Sequence, residues 1–398
     1  MAAPPPRLVE WMLSPAGDRV FRLVQRIRQR TVLGHSGPVV FAGPRDPHAV
    51  LLLTMLNELG AADWPVIFVD SAGLADAERA MRWAVADARE LVRQLDLPVS
   101  LDHPPDESAV SRLAAALPDP CTVAEACPAL ESLWAGQVPD REPGPGRARL
   151  ERGNQLLERL GHYLGALVLS GGDWYWGVDR LGYLFPEVRQ RFPDTCTPAG
   201  NEPVELYFSF RSPYSWIALD RLMREPAFSD VDLRIRPVLP MVLRGLPVPA
   251  AKRLYIARDA AREARLYGVP FGRICDPVPA GGIPAAMARV PDAMAQGVLP
   301  QYCQAVARAI WAEGRNVARR QVLERVIADA GLPALAPSSE DEWRELAQRN
   351  RDALNALGLW GVPVMHWRDC ALWGQDRLAI LAQRMREDDG SPLGERGA

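Results

Sequence analysis

A serine stands directly before a proline at the start of an apolar helical pattern, in Ser212-Pro213-Tyr214. Pro213 suits the first position of a helix, where its missing N–H costs nothing, and Ser212 then falls at the N-cap. The free N–H groups and the positive dipole end of such a helix favour a nearby anion, for example a thiolate. Ser212 could donate a hydrogen bond to that anion. The residue types alone leave two interpretations open, an ordinary helix cap and a thiolate-binding position.

Three further segments of the C-terminal half carry polar or conformationally restricted residues. Pro363, within Gly361-Val362-Pro363-Val364, suits the start of an edge strand. Asp376 follows Gln375 and suits the start of a helix, where its charge complements the dipole. The third segment has spacings of three and four, which place its side chains along one helical face, and by itself it indicates a solvated surface: Lys252, Tyr255, Asp259 and Arg262.

Lys252 is the single lysine among 46 basic residues. Because arginine has replaced lysine almost everywhere else, this position is a candidate for a special role. The other interpretation, a chance survivor on a solvated helix face, stays open.

An internal repeat organises the chain, which must be recognised before a fold is assigned. Trp-Gly-Val-Asp-Arg-Leu at 176–181 returns as Trp-Gly-Gln-Asp-Arg-Leu at 373–378, and Arg-Asp-Pro-His at 45–48 parallels Arg-Ser-Pro-Tyr at 211–214. The order is the same in both halves. The repeat predicts two copies of one domain, residues 1–190 and 203–398, joined by a Pro/Gly/Thr-containing linker at 191–202.

The apolar pattern of each copy predicts strand–helix–strand, then a helical insertion, then strand–strand–helix. In the first copy, the second strand is expected at 64–69 and the insertion begins at 75–95. Residues 118–149, rich in proline and glycine, are predicted to be loop. In the second copy the predicted strands are 204–208, 231–238, 363–367 and 371–373, and the predicted helices are 214–224, 250–266, 300–313, 319–330, 340–357 and 376–385.

The segment Ser-Pro-Tyr-Ser at 212–215 resembles the motif of 2-hydroxychromene-2-carboxylate isomerases and kappa-class glutathione transferases. These families belong to the wider DsbA-like group, whose redox members carry Cys-Pro-x-Cys at this place. The resemblance implies an α/β fold of two tandem thioredoxin-like (DsbA-like) domains, each with an inserted helical subdomain. It also implies that Ser212 and Ser215 replace both redox cysteines. The protein therefore cannot cycle a disulfide there, and the sulfur must come from a bound thiol, glutathione.

The same resemblance assigns roles to the other segments. The Val362–Pro363 bond would be cis, and the main chain of Val362 would pair with the cysteinyl part of glutathione. Gln375 and Asp376 would contact its γ-glutamyl end, and Lys252 its glycine carboxylate. Ser212 is the expected catalytic residue, and the expected glutathione contacts are Pro213, Tyr214, Lys252, Val362, Pro363, Gln375 and Asp376.

The chain departs from the family pattern at several positions. The families commonly place an asparagine in the loop before the lysine, where this chain has Arg244 nearby as an open substitute. In the first copy, Asp46 replaces the serine and would repel a thiolate, and Ala166 stands where the second copy has Pro363. His48 is interpreted as a surface histidine. The first copy is therefore not expected to bind glutathione in this mode.

These observations favour a glutathione-dependent isomerase that acts on a conjugated aromatic ketoacid. Kappa-type conjugation or peroxide reduction is a second enzyme hypothesis, and a non-catalytic thiol-binding scaffold is a third. A DsbA-family disulfide oxidoreductase would need the cysteines that the motif lacks. The substrate itself is left open.

Composition limits the remaining partners. A net charge of -3 gives no reason to expect nucleic acid or a membrane. The six cysteines form no CxxC pair and, with the five histidines, show no metal-ligand spacing, so no metal is expected. Scattered cysteines of this kind are typical of reduced, partly buried thiols, and a cytoplasmic location is expected. Whether the two domains pack as a pseudo-dimer is left open.

Overall fold

The computed structural model describes residues 6–70, 77–240, 243 and 250–389. The chain divides into an N-terminal unit, Asp18–Phe192, and a C-terminal unit, Pro193–Ala398 together with Met1–Gly17. Helix α1 (Pro6–Leu13) thus belongs to the C-terminal unit, where Arg265 donates a hydrogen bond to the Leu13 carbonyl at 3.0 Å. The repeat had predicted that these first residues lie in the N-terminal domain, residues 1–190.

A mixed sheet forms the centre of the N-terminal unit. Its strands are β1 (Val39–Ala42), β2 (Pro65–Phe68), β3 (Cys121–Thr122), β4 (Ala166–Ser170) and β5 (Asp173–Trp176). Their order is β3-β2-β1-β4-β5. Strand β1 runs parallel to β2 and antiparallel to β4, and β4 pairs antiparallel with β5.

Helices surround this sheet, and one prediction about them was wrong. They are α2 (Pro15–Leu33), α3 (Pro47–Glu58), α4 (Ala77–Leu95), α5 (Glu107–Ala116), α6 (Val123–Trp134) and α7 (Pro143–Leu160). The predicted loop at 118–149 contains β3, α6 and the start of α7. Thr122 and Glu125 form a capping box that starts α6. The glycine at 146 does not break α7: a Cβ there would lie 1.7 Å from the Ser111 carbonyl, so glycine permits close packing on α5.

The four-stranded sheet of the C-terminal unit pairs as β2, β1, β4 and β5 do, without a described counterpart of β3. Its strands are β6 (Val204–Phe208), β7 (Leu233–Pro237), β8 (Val364–Trp367) and β9 (Cys370–Trp373), in the order β7-β6-β8-β9. Strand β6 is parallel to β7 and antiparallel to β8, and β8 is antiparallel to β9. All four strands were predicted to within two residues at each end.

Most helices of this unit form the predicted insertion between β7 and β8. The helices are α8 (Pro213–Arg224), α9 (Ala250–Leu266), α10 (Gly282–Met287), α11 (Val290–Ala295), α12 (Leu299–Trp311), α13 (Arg320–Asp329), α14 (Glu340–Ala356) and α15 (Leu378–Asp389). The two shortest, α10 and α11, were not predicted. Among the described helices, none is long and apolar enough to cross a membrane.

Apolar burial fixes the start of α8 beside the sheet. Phe208 at the end of β6 and Trp216 and Ile217 in the first turns of α8 are fully buried. Burying one such side chain contributes about 1.5 to 3 kcal/mol. The N-terminus of α8 is therefore held at the carboxyl end of the central strand β6, next to the loop that enters β8.

Candidate functional site

Ser212 is the N-cap residue of α8, which confirms the helix-cap interpretation. The turn after β6 closes when the Ser212 amide donates to the Ser209 carbonyl at 2.9 Å. Its backbone is extended, and its Oγ accepts a hydrogen bond from the Ser215 amide at 3.1 Å. Pro213 is the first helical residue and is buried. Capping uses the oxygen of Ser212 as an acceptor, so its one hydroxyl proton is still available to a second group.

The hydroxyl proton of Ser212 points to the loop before β8. Its Oγ lies 3.5 Å from the carbonyl oxygen of Val362, at the outer limit of a hydrogen bond. The Val362–Pro363 bond is cis, as the family resemblance implied. The structure therefore brings together Ser212, Pro213, Val362 and Pro363, although 150 residues separate the serine from the valine.

A tryptophan from β9 sets the position of this loop. A Cβ at Gly361 would lie 1.9 Å from Cζ2 of Trp373, so only glycine leaves room for the indole ring. Trp360 meets the same ring edge-on, with ring centroids 4.9 Å apart. The Gly374 amide donates to the Pro363 carbonyl at 2.9 Å. The loop before β8 and the segment after β9 are thus packed as one block beside Ser212.

Tyr214 is tied to the first helix of the insertion. Its hydroxyl donates to Oδ2 of Asp259 at 2.7 Å, and Arg262 donates to Oδ1 of the same carboxylate at 2.6 Å. Asp259 is 2% exposed, and Tyr255 on the same helix is buried too. The spacing alone had indicated a solvated helix face. That interpretation is wrong for Tyr255 and Asp259, because both are buried. A buried charge must be paired and hydrogen-bonded, and Asp259 is both.

Gln375 lies at the centre of a buried polar network. Its side chain is fully buried. Its Nε2 donates to Oε2 of Glu263 at 2.8 Å, and its Oε1 accepts from Arg221 at 3.2 Å. Its Nε2 also donates to Asp376, which is half-buried. A direct contact between the Gln375 side chain and a ligand, as predicted, would break these bonds, whereas Asp376 is only half-buried.

The charged centre of this network is Arg221, which is 3% exposed. Its guanidinium stacks on the ring of Tyr267, 3.6 Å from the centroid, and it pairs with Glu225. Burial opposes the charged form, but Tyr267, Glu225 and Asp376 outweigh burial and raise the pKa of Arg221. Arg221 therefore stays charged and orients the segment that carries Asp376.

Lys252 lies in the first turn of α9, and its side chain is outside the described part of the structure, as is the residue Arg244 in the preceding loop. The helix that carries Lys252 is fixed beside the site through the bond between Asp259 and Tyr214.

Two contacts near Ser212 carried no signal in the sequence. Arg211 forms a two-bond ion pair with Asp276, at 3.1 and 3.0 Å. The indole Nε1 of Trp311, at the end of α12, donates to the Phe210 carbonyl at 3.1 Å. Both contacts fix the turn before Ser212 from residues far along the chain, which spacing cannot reveal.

The corresponding segment of the N-terminal unit has a different chemistry. Asp46 caps α3, and His48 is buried, so its interpretation as a surface histidine was wrong. Its Nδ1 lies 3.2 Å from Asp46 and its Nε2 2.9 Å from Asp87 on α4. Burial opposes the imidazolium, but hydrogen bonds and the charges of Asp46 and Asp87 outweigh it and raise the pKa of His48 to about 10.

The described part of the chain holds no group of three or more histidine, cysteine or acidic residues that could bind a metal ion. All six cysteines are free, as expected, and three of them are buried. Burial, followed by the charge of Asp276, raises the pKa of Cys275, the cysteine next to the ion pair of Arg211. Its thiol is therefore protonated at neutral pH, so it is a poor nucleophile.

The four-stranded sheet, the helix that begins after its central strand and the cis-proline loop opposite define a thioredoxin-like fold. Residues 203–386 match the family model of the DSBA-like thioredoxin domain. This match assigns a DSBA-like thioredoxin domain to residues 203–386.

Solved structures that resemble the chain include a 2-hydroxychromene-2-carboxylate isomerase, with 22% identity and a TM-score of 0.36 over 48% of this chain and 100% of that one. The cytosolic disulfide reductase DsbM from Pseudomonas aeruginosa has 20% identity and a TM-score of 0.35 over 47% of this chain and 96% of that one. The same reductase with GSH has a TM-score of 0.34, with equal identity and coverage. No curated protein matches the chain. Likeness at this level does not extend to activity.

Proposed function

We propose that the C-terminal unit is a glutathione-dependent isomerase that acts on a conjugated aromatic ketoacid. The observation that carries the proposal is the position of the Ser212 hydroxyl. It lies at the N-terminus of α8 and faces the Val362 carbonyl at 3.5 Å, where a redox domain of this family would hold its reactive cysteine. With Ser215 also lacking sulfur, the site has the environment for a thiolate and needs an external thiol.

The residues at this site fit glutathione. As a donor, the Ser212 hydroxyl makes only a long bond to Val362, so its proton can turn to a sulfur at little cost while Oγ still accepts from the Ser215 amide. The half-buried carboxylate of Asp376 suits the amino group of a γ-glutamyl moiety. Lys252 suits the glycine carboxylate. Gln375, in contrast, acts as a positioning residue that holds Asp376 in place.

When bound, glutathione supplies a thiolate nucleophile for reversible addition to a conjugated double bond, which is the chemistry that this isomerisation needs. The protein contributes charge stabilisation and orientation. Ser212 donates its hydroxyl proton as a hydrogen bond to the anion, and the dipole of α8 favours the same charge. Tyr214 is fixed by Asp259, so the first turn of α8 keeps its geometry when the charge at the site changes.

The direct test is turnover of hydroxychromene carboxylate by the full chain, with and without glutathione. We expect isomerisation that depends on glutathione, and slower or no turnover of chlorodinitrobenzene and cumene hydroperoxide. A lack of glutathione dependence across a panel of conjugated ketoacids would contradict the proposal. Conjugation of chlorodinitrobenzene without isomerase activity would instead indicate a kappa-type transferase.

We also propose that the N-terminal unit is a degenerate copy of the same thioredoxin-like domain. The pairing of β1 with β2 and β4 repeats that of β6 with β7 and β8. The Gly177 amide donates a hydrogen bond to the Ala166 carbonyl, and the Gly374 amide donates one to the Pro363 carbonyl in the same way. These matched bonds support the alignment of Ala166 with Pro363.

Two side-chain contacts recur at matching positions in the two units. Trp134 donates to the Pro44 carbonyl at 2.9 Å, as Trp311 donates to that of Phe210. His48 bonds an aspartate on the next helix, as Tyr214 does in the other unit. Each carbonyl lies two residues before the helix cap, and each aspartate bond comes from the second helical residue.

This copy is not expected to bind glutathione in the same mode, because the Asp46 carboxylate replaces the serine and both nitrogens of His48 are already paired. Calorimetric titration of the full chain is therefore expected to give one glutathione per chain. Two equivalent sites would contradict this assignment. The six free cysteines support a reducing location, for which we propose the cytoplasm.

A further inference from the structure

Helix α2 carries a stripe of large aliphatic side chains on its solvent side. Val20, Leu23, Val24 and Ile27 are 51%, 56%, 57% and 59% exposed. Their spacing of three, four and seven residues places them on one face of the helix. A surface helix ordinarily turns such a stripe toward the core, so this one is directed the opposite way.

Polar side chains hold the other face of α2 against the N-terminal unit. Gln25 is 4% exposed and donates to the Leu160 carbonyl at 2.8 Å. Gln29 is fully buried and donates to the Gly37 carbonyl at 2.7 Å. The inward face of α2 is therefore already packed on the N-terminal unit, so the aliphatic stripe is not a core face that a rotation of the helix has exposed.

Arginines border the stripe. Arg19, Arg26 and Arg30 are exposed and follow one another at seven and four residues, in a row along one side of it. Arg28 is exposed and lies on the other side. The acidic residue of the helix, Asp18, pairs with Arg22 on the inward side. The net charge of -3 is a sum over the whole chain, so it gives no indication of this local positive charge.

We propose that this face of α2 binds an anionic lipid surface, with the helix axis in the plane of the interface and the stripe in the acyl region. An apolar face bordered by basic residues is the pattern of helices that lie on membranes. The proposal replaces the expectation of no membrane partner, which rested on net charge. It concerns a surface outside the thiol site and does not depend on the reaction there.

A second copy of the chain fits this surface less well. Two α2 stripes packed on each other would bring arginine rows together, and like charges destabilise such a pairing. A tight protein interface also tends to use aromatic anchors in its centre, and the stripe is purely aliphatic. An anionic lipid surface requires only apolar area and positive charge on the protein, and this face of α2 has both.

The test is co-sedimentation of the full chain with vesicles of phosphatidylglycerol and with vesicles of phosphatidylcholine. Wild type should sediment with the anionic vesicles only, and less at high salt. Replacing Arg19, Arg26 and Arg30 with glutamine should weaken partitioning roughly a hundredfold, at about fivefold for each basic residue. Leu23→Asp with Ile27→Asp should abolish it.

The matched control is Val138→Asp, at a valine of the same unit that is 48% exposed but outside the stripe. It should sediment like wild type. Because all substituted side chains are exposed, the melting temperatures should stay close to that of wild type. Equal sedimentation with both vesicle types, or none, overturns the proposal. So does a dimer in light scattering that Leu23→Asp with Ile27→Asp dissociates, which would assign the face to a second copy.

Discussion

Replacing Ser212 with glycine removes the hydroxyl while leaving the cap of α8 largely intact. Glycine at an N-cap costs only a few tenths of a kcal/mol, whereas alanine costs about 1 kcal/mol. Beyond the cap bond from the Ser215 amide, the hydroxyl makes only a long bond to Val362, at 3.5 Å, so little more is lost in the free protein. A hydrogen bond to a charged group contributes about 1.5 to 3 kcal/mol. The thiolate form of glutathione should therefore bind roughly 10- to 100-fold more weakly.

The assay is the pH dependence of kcat/KM for glutathione-dependent isomerisation. Ser212→Gly should move the rising limb to higher pH, because the bound thiol ionises less readily. Ser212→Thr keeps a hydroxyl and a cap and should retain the profile of the wild type. A folded Ser212→Gly enzyme with an unchanged profile would refute this role and leave Ser212 as a helix cap only.

Tyr214→Phe removes a hydrogen bond to the buried carboxylate of Asp259, and denaturant unfolding of the C-terminal unit should show a loss of about 1 to 3 kcal/mol; no loss would mean that the bond is not formed. Since the pKa of His48 is raised from 6.5 to about 10, the stability it contributes to the N-terminal unit is complete below about pH 6.5 and is lost as the pH rises through 10. The free energy of unfolding, measured against pH, should show this fall, and that of the His48→Gln variant should not change over the same range. Gly361→Ala forces a methyl group into the ring of Trp373 and should destabilise the unit by about 1 to 3 kcal/mol, seen as a lower melting temperature; an unchanged value would contradict the packing described.

The strands and long helices of the C-terminal unit could be predicted because their apolar periodicity matches their final burial. Strand β6 and helix α9 have the predicted bounds, 204–208 and 250–266. The helices α10 and α11 are only six residues each, and periodicity over so few residues carries little information. Helix α6 was missed because Pro128 lies within it, and proline composition outweighed the capping box at Thr122.

The site was predictable where a local motif carries the geometry and not where the chain must first fold. The cap by Ser212 follows from a short motif, and the cis bond before Pro363 was implied by the family resemblance. The pairing of His48 with Asp87 joins residues 39 positions apart, and each alone resembles a surface residue in the sequence. The buried network of Gln375 also depends on distant partners, which explains why a side chain expected to contact ligand is instead enclosed by protein.

Hydrogen exchange with and without glutathione would locate the bound ligand on the chain. We expect slower exchange at 211–216 and at 361–364, and no change at 46–51 in the N-terminal unit. Lys252→Ala should lose most of this protection, and Arg253→Ala, at the exposed neighbouring position, should keep it. No protection at any glutathione concentration, or protection confined to the N-terminal unit, would contradict glutathione binding beside Ser212.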